Sequence, residues 1–86
     1  MNSLLIHGEP VGPFQRLYVI NGQKIIETLG ITVNDLEETV FALVEKYNIT
    51  HINLSGAKAY MEGIEQKLKT AGVSTYSMDD LTFQYV

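Results

Sequence analysis

Residues 14–29 have the sequence FQRLYVINGQKIIETL, which predicts a β-hairpin. The first half is rich in aromatic and β-branched residues, which favour strands. Asn21-Gly22 follows, a pair well suited to the two positive φ angles of a type I′ turn. Residues 23–29 return as the partner strand, and Gly30 is expected to end it. The hairpin therefore provides two adjacent antiparallel strands.

The residues before the hairpin predict one more strand. Residues 3–7 include the apolar run Leu4-Leu5-Ile6. Residues 8–13, with the sequence GEPVGP, are expected to form a loop, because their glycines and prolines cannot continue a ladder. Three strands joined by short connections form an antiparallel meander.

The second half of the chain predicts helix, strand, helix and strand. The first helix begins near Thr32 or Asn34 as its N-cap and has apolar residues at helical spacing up to Tyr47. Residues 49–55 alternate between apolar and polar side chains, as a strand with one buried face does. A second helix ends at Gly72, and residues 73–78 form the fifth strand.

The element order β-β-β-α-β-α-β predicts one mixed sheet of the α/β class, with strand order 3-2-1-4-5. A strand reached through a helix runs parallel to its neighbour and is joined by a right-handed crossover. Both helices should then cover the same face of the sheet. The strand order is that of the RNase H-like (actin-like) core, which we adopt as the predicted fold.

Composition is typical of one globular domain. The chain has 86 residues, of which 45% are hydrophobic and 19% charged, so residues 1–86 are treated as a single domain. It has no cysteine and no apolar run long enough to cross a bilayer, which favours a cytoplasmic location. The net charge of −4 and the dispersed basic residues disfavour nucleic acid as a partner.

The segment INLSGAKAYMEGI, residues 52–64, resembles small uncharacterised proteins of bacteriophage genomes. The resemblance covers a strand, a turn of small residues and the start of a helix. It implies an accessory protein that acts in the host cytoplasm, and it identifies no catalytic residue.

RNase H-like nucleases hold two divalent cations with several shared carboxylates, including an aspartate of the first strand. Here the first strand has no aspartate, and the fourth ends in Asn53-Leu54-Ser55. Glu9, Asp79 and Asp80 are the only carboxylates expected near that end of the sheet. We therefore predict no catalytic residue, no metal site and no cofactor. A degenerate metal-dependent hydrolase is kept as an alternative.

The turn between the fourth strand and the second helix is the predicted ligand site. Free N–H groups at a helix N-terminus can bind a phosphate or carboxylate, and a lysine adds charge. A turn of small residues that caps the helix, without any ligand, explains the same residues equally well. The predicted ligand-binding residues are Ser55, Gly56, Ala57 and Lys58.

The sheet face without helices is expected to contact another protein subunit, because exposed apolar patches usually become covered. His7 and His51 lie on adjacent strands of this face and could approach each other to bind a metal or transfer protons, with Ser55 as the nearby hydroxyl. Residues 79–86 are expected to be a further strand or an interaction tail. The predicted interface residues are His7, Tyr18, His51, Leu81, Phe83 and Tyr85.

These observations favour a non-enzymatic binding or assembly protein that forms a homo-oligomer or binds a protein partner. Binding of a small phosphate-containing ligand at the turn after the fourth strand is the first alternative. The degenerate nuclease is the second.

Overall fold

A computed structural model describes residues 1–8 and 13–77 of the chain. Glu9, the Asp79-Asp80 pair and the predicted tail residues Leu81, Phe83 and Tyr85 lie outside this part. The elements are β1 (Asn2–Gly8), β2 (Phe14–Asn21), β3 (Lys24–Thr32), α1 (Leu36–Tyr47), β4 (His51–Ser55), α2 (Lys58–Thr70) and β5 (Ser74–Ser77).

The five strands form one sheet in the order β3-β2-β1-β4-β5, as predicted. β2 is antiparallel to both β1 and β3, whereas β4 is parallel to β1 and β5 is parallel to β4. β1 is therefore the central strand, where the antiparallel and parallel halves meet. The predicted mixed α/β architecture is confirmed.

Both helices pack on the same face of this sheet. Their buried residues join one apolar cluster with the inward side chains of the three central strands. The strands contribute Leu4, Ile6, Leu17, Val19, Ile52 and Leu54, and the helices contribute Leu36, Val40, Leu43, Met61, Ile64 and Leu68. Among the described residues, no helix has the length and apolar character needed to cross a membrane.

The turn between β2 and β3 differs from the predicted one. Asn21 pairs with Lys24, so the two loop residues are Gly22 and Gln23. Gly22 has a φ of 63°, and Asn48 is the only non-glycine among the described residues with a positive φ. A type I′ turn needs two positive φ angles. The prediction of that turn type is therefore wrong, and the pattern matches a type II′ turn with glycine at its first central position.

The start of α1 also differs from the sequence expectation. β3 continues through Gly30 to Thr32, and the Val33 N–H donates to the Pro13 carbonyl at 2.9 Å. This bond keeps the chain beside β2 beyond Gly30, where the sequence predicted the strand to end. A short 3-10 turn (Val33–Asp35) follows with the predicted residue Thr32 at its N-cap, and α1 itself, which continues from this turn, has Asp35 at its N-cap.

Candidate functional site

The sheet face opposite the helices has no layer over it in the described part of the chain, and we call it the open face. Its residues follow from the register, because side chains alternate between the two faces of a strand. The central row crosses all five strands and contains Thr28, Tyr18, Leu5, Asn53 and Tyr76. The face also includes Ser3, His7, Phe14, Arg16, Ile20, Ile25, Thr32, His51, Ser55 and Ser74.

Much of the open face is apolar or aromatic. Leu5, Tyr18 and Ile20 are half-buried. At the margins of the face, Phe14, Ile25 and Tyr76 are 57%, 60% and 56% exposed. Exposed apolar groups on adjacent strands of so small a domain usually mark a binding surface.

A hollow of about 370 Å³ lies in the open face. Four apolar or aromatic side chains surround it, and a histidine and a serine lie at one end. Its lining residues are Leu5, His7, Tyr18, Ile20, Ile25 and Ser55.

His7 and Ser55 form the polar end of the hollow. They are register partners on the parallel strands β1 and β4, and His7 Nδ1 lies 3.2 Å from Ser55 Oγ. The hydroxyl donates to the ring nitrogen or accepts from it, according to the tautomer. This contact was not predicted as a bond, although the sequence named Ser55 as the hydroxyl nearest to the two histidines.

The two histidines do not come together. His51 pairs with Ser3 and His7 pairs with Ser55, so four residues, or about 13 Å of strand, separate them along the sheet. His51 instead contacts Tyr76 edge to face, with ring centroids 6.5 Å apart. Within the described residues, no three His, Asp or Glu side chains are grouped as a metal site requires.

Charge is distributed unevenly between the two sides of the molecule. The open face has Arg16, His7 and His51 but no described carboxylate. Glu27 lies on the helix-covered face, where its carboxylate accepts a hydrogen bond from the Tyr47 hydroxyl. The other described carboxylates are on or beside the helices, at Asp35, Glu37, Glu38, Glu45, Glu62 and Glu65. The net charge of −4 therefore does not represent the open face.

Two residues of the predicted ligand site, Ser55 and Ala57, lie on opposite sides of the sheet. Ser55 lies on the open face, whereas Ala57 is fully buried in the core and occupies the N-cap position of α2 without a side-chain cap. Gly56, between them, has a φ of 70°. Lys58 begins α2. Only Ser55 of this set is part of the hollow.

Gln15 is a buried residue that sequence reasoning missed. It is fully buried on the helix-covered face of β2, and neither atom of its amide group has a hydrogen-bond partner among the described residues. Its Oε1 lies close to the end of β1, about 3.1 Å from where a Cβ on Gly8 would be. The alternation of side chains along β2 could have indicated that Gln15 is buried, because Gln15 lies on the same side of β2 as Leu17 and Val19.

A second, larger cavity of about 670 Å³ lies between α2 and β5. It is lined mainly by polar groups of both charges, including Glu62, Glu65 and Lys69. Tyr76 borders it at the edge of the sheet.

Comparison with known proteins adds no relative. No protein-family model matches the sequence, and a search of curated proteins finds no significant match. The functional argument therefore depends on the geometry of the open face.

Proposed function

We propose that this chain is a non-enzymatic assembly protein that binds a second copy of itself through the open face. The observation that carries the proposal is that both helices pack on one side of the sheet. The other side exposes Phe14, Ile25 and Tyr76. Removing this apolar surface from water favours association.

The distribution of charge on the open face fits an interface. The central row, from Thr28 on β3 to Tyr76 on β5, is uncharged. Arg16 and His7 lie toward one end of the strands and His51 toward the other. Protein interfaces typically have an uncharged, aromatic-rich core and a polar rim. The open face has this arrangement, with the basic side chains at its rim.

The size of the open face favours a partner with an equally large flat surface. Strands lie about 4.8 Å apart and rise about 3.3 Å per residue, so the face measures roughly 20–25 Å in each direction. Its flat area of roughly 500 Å² is below the ~800 Å² per partner of a standard interface. Nearly the whole face must therefore take part. A second copy offers the same face, and a two-fold axis would pack the two sheets about 10 Å apart.

Sedimentation of the wild type and of Tyr76→Asp tests the proposal. We expect a dimer at tens of micromolar for the wild type, and a dimer dissociation constant at least about tenfold higher for Tyr76→Asp, because a charge would enter the uncharged row that crosses the open face. Tyr60→Asp is the matched control, since Tyr60 is 44% exposed on α2 behind the sheet. A wild type that is strictly monomeric, or equal effects of the two variants, would contradict the proposal.

We also propose that the fold is RNase H-like and that the chain is an accessory protein of the bacteriophage type acting in the cytoplasm. The strand order β3-β2-β1-β4-β5 supports the first statement. The sequence of residues 52–64 supports the second, and the lack of cysteine supports the cytoplasmic location. A shared fold does not imply a shared activity. The missing aspartate in β1 argues against nuclease chemistry.

A further inference from the structure

We propose that the hollow is a binding site for a small amphipathic anion, a ligand with an apolar body and a single carboxylate. This goes beyond the proposed function, because the site is complete within one copy of the chain. It is also a version of the small-ligand alternative. The ligand would bind in the hollow instead of at the turn between β4 and α2 that the sequence predicted.

The walls of the hollow suit an apolar ligand body. Leu5, Tyr18 and Ile20 form a half-buried surface on the two central strands, and Ile25 rises at its margin with 60% exposure. The volume of about 370 Å³ lies at the lower end of the range for small-molecule sites, about 300–1,000 Å³. Such sites are mostly apolar with a few polar groups that orient the ligand, as in this hollow.

The polar end of the hollow favours a negative head group. The Ser55 hydroxyl and the His7 imidazole, bonded to each other at 3.2 Å, both line this end. When Ser55 accepts in this bond, it keeps its own proton to donate to a carboxylate, and in the other tautomer the Nε2–H of His7 does so. Arg16 is the register partner of His7 and adds positive charge to the same row. No described carboxylate lies on the open face to repel an anion.

The hollow is part of the surface that a second copy is proposed to cover, so ligand and second copy should compete. Binding is therefore measured on a monomer. If the wild type dimerises, the Tyr76→Asp variant provides the monomer. This substitution leaves the lining of the hollow unchanged, because Tyr76 does not line it. If the wild type is monomeric, it is used directly, and the test of the ligand site is independent of the test of assembly.

The probe is octanoate, titrated by calorimetry and by amide chemical shifts. We expect saturable binding, with the largest shifts at residues around the hollow. Ile25→Trp fills the hollow and should weaken binding at least about tenfold, or about 1.4 kcal/mol. Ile26→Trp is the matched control, because Ile26 is also exposed on β3, at 45%, but does not line the hollow. Equal binding by Ile25→Trp and Ile26→Trp, or no saturable binding, would overturn the proposal.

The choice of an anion is tested with octylammonium and octanol, which have the same tail. Octylammonium should bind at least about tenfold more weakly than octanoate, because none of the described residues of the open face is acidic. The double variant His7→Gln/Ser55→Ala should weaken octanoate binding and leave octanol binding unchanged. Circular dichroism checks that the variant is folded. Equal affinity for octanoate and octylammonium would overturn the assignment of an anionic head group.

Discussion

At the scale of single residues, Gly8 has the least room for a side chain among the described glycines. It lies at the end of β1, and a Cβ there would be 2.6 Å from the carbonyl oxygen of Gly56. Real Cβ atoms do not approach backbone oxygens so closely, so the end of β1 and the turn after β4 can meet only without a side chain at this position. This contact fixes the backbone next to Ser55 and the polar end of the hollow.

Gly8→Ala is therefore expected to lower the free energy of unfolding by about 1–3 kcal/mol, the usual cost of overpacking. Gly63→Ala is the matched control. Gly63 is exposed within α2, a Cβ there meets nothing within 4 Å, and alanine is the better helix former. This variant should raise stability by about 0.5–1 kcal/mol. Urea unfolding measures both changes, and similar values for the two variants would contradict the argument.

At the scale of elements, the C-terminal end of α1 is tied to the sheet by polar contacts. The Tyr47 hydroxyl donates to the Glu27 carboxylate on β3, and the Tyr47 carbonyl accepts a bond of 2.9 Å from the Asn2 side chain on β1. Asn48 then ends the helix in the left-handed conformation, with a φ of 53°. The helix is therefore anchored across three strands, because β2 lies between β1 and β3.

Tyr47→Phe removes the bond to Glu27 while keeping the ring. We expect the free energy of unfolding to fall by about 1 kcal/mol, since the Glu27 carboxylate loses a donor in a partly buried position. Tyr60→Phe should have almost no effect, because Tyr60 is exposed on α2. Chemical denaturation compares the two, and an unchanged midpoint for Tyr47→Phe would show that water replaces the lost donor without cost.

At the scale of the whole molecule, the described core is complete before the end of β5. Every buried apolar residue lies between Leu4 and Val73, and one cluster contains them all. The predicted interface residues, in contrast, lie both before and after Val73 in the sequence. His7, Tyr18 and His51 are on the open face, whereas Leu81, Phe83 and Tyr85 lie beyond the described residues.

A variant that ends after Ser77 separates these two groups. We expect it to unfold in one cooperative transition with a midpoint close to that of the full chain, because none of the described core residues is removed. If the residues after Ser77 belong to the interface as predicted, the dimer dissociation constant should rise at least about tenfold. Unchanged association would assign the interface to the open face alone. Loss of cooperative folding would show that the removed segment belongs to the core.

Local patterns in the chain were sufficient for the architecture but not for the geometry of side chains. Alternation along residues 51–55 correctly separated Ile52 and Leu54 from the polar side of β4. The sequence left open whether His7 and His51 approach each other, because their separation depends on the register between β1 and β4, which keeps them apart. No local signal sets the offset between two strands that are separated by more than forty residues.

The sequence by itself determined the element order, the strand order and the face on which both helices pack. Turn residues, apolar periodicity and right-handed crossovers allow few other arrangements. Which side chains meet is set by the tertiary fold: the bond between His7 and Ser55, the separation of the two histidines and the hollow lined by four strands. These depend on register and on contacts between distant segments, which each strand's own residues do not encode.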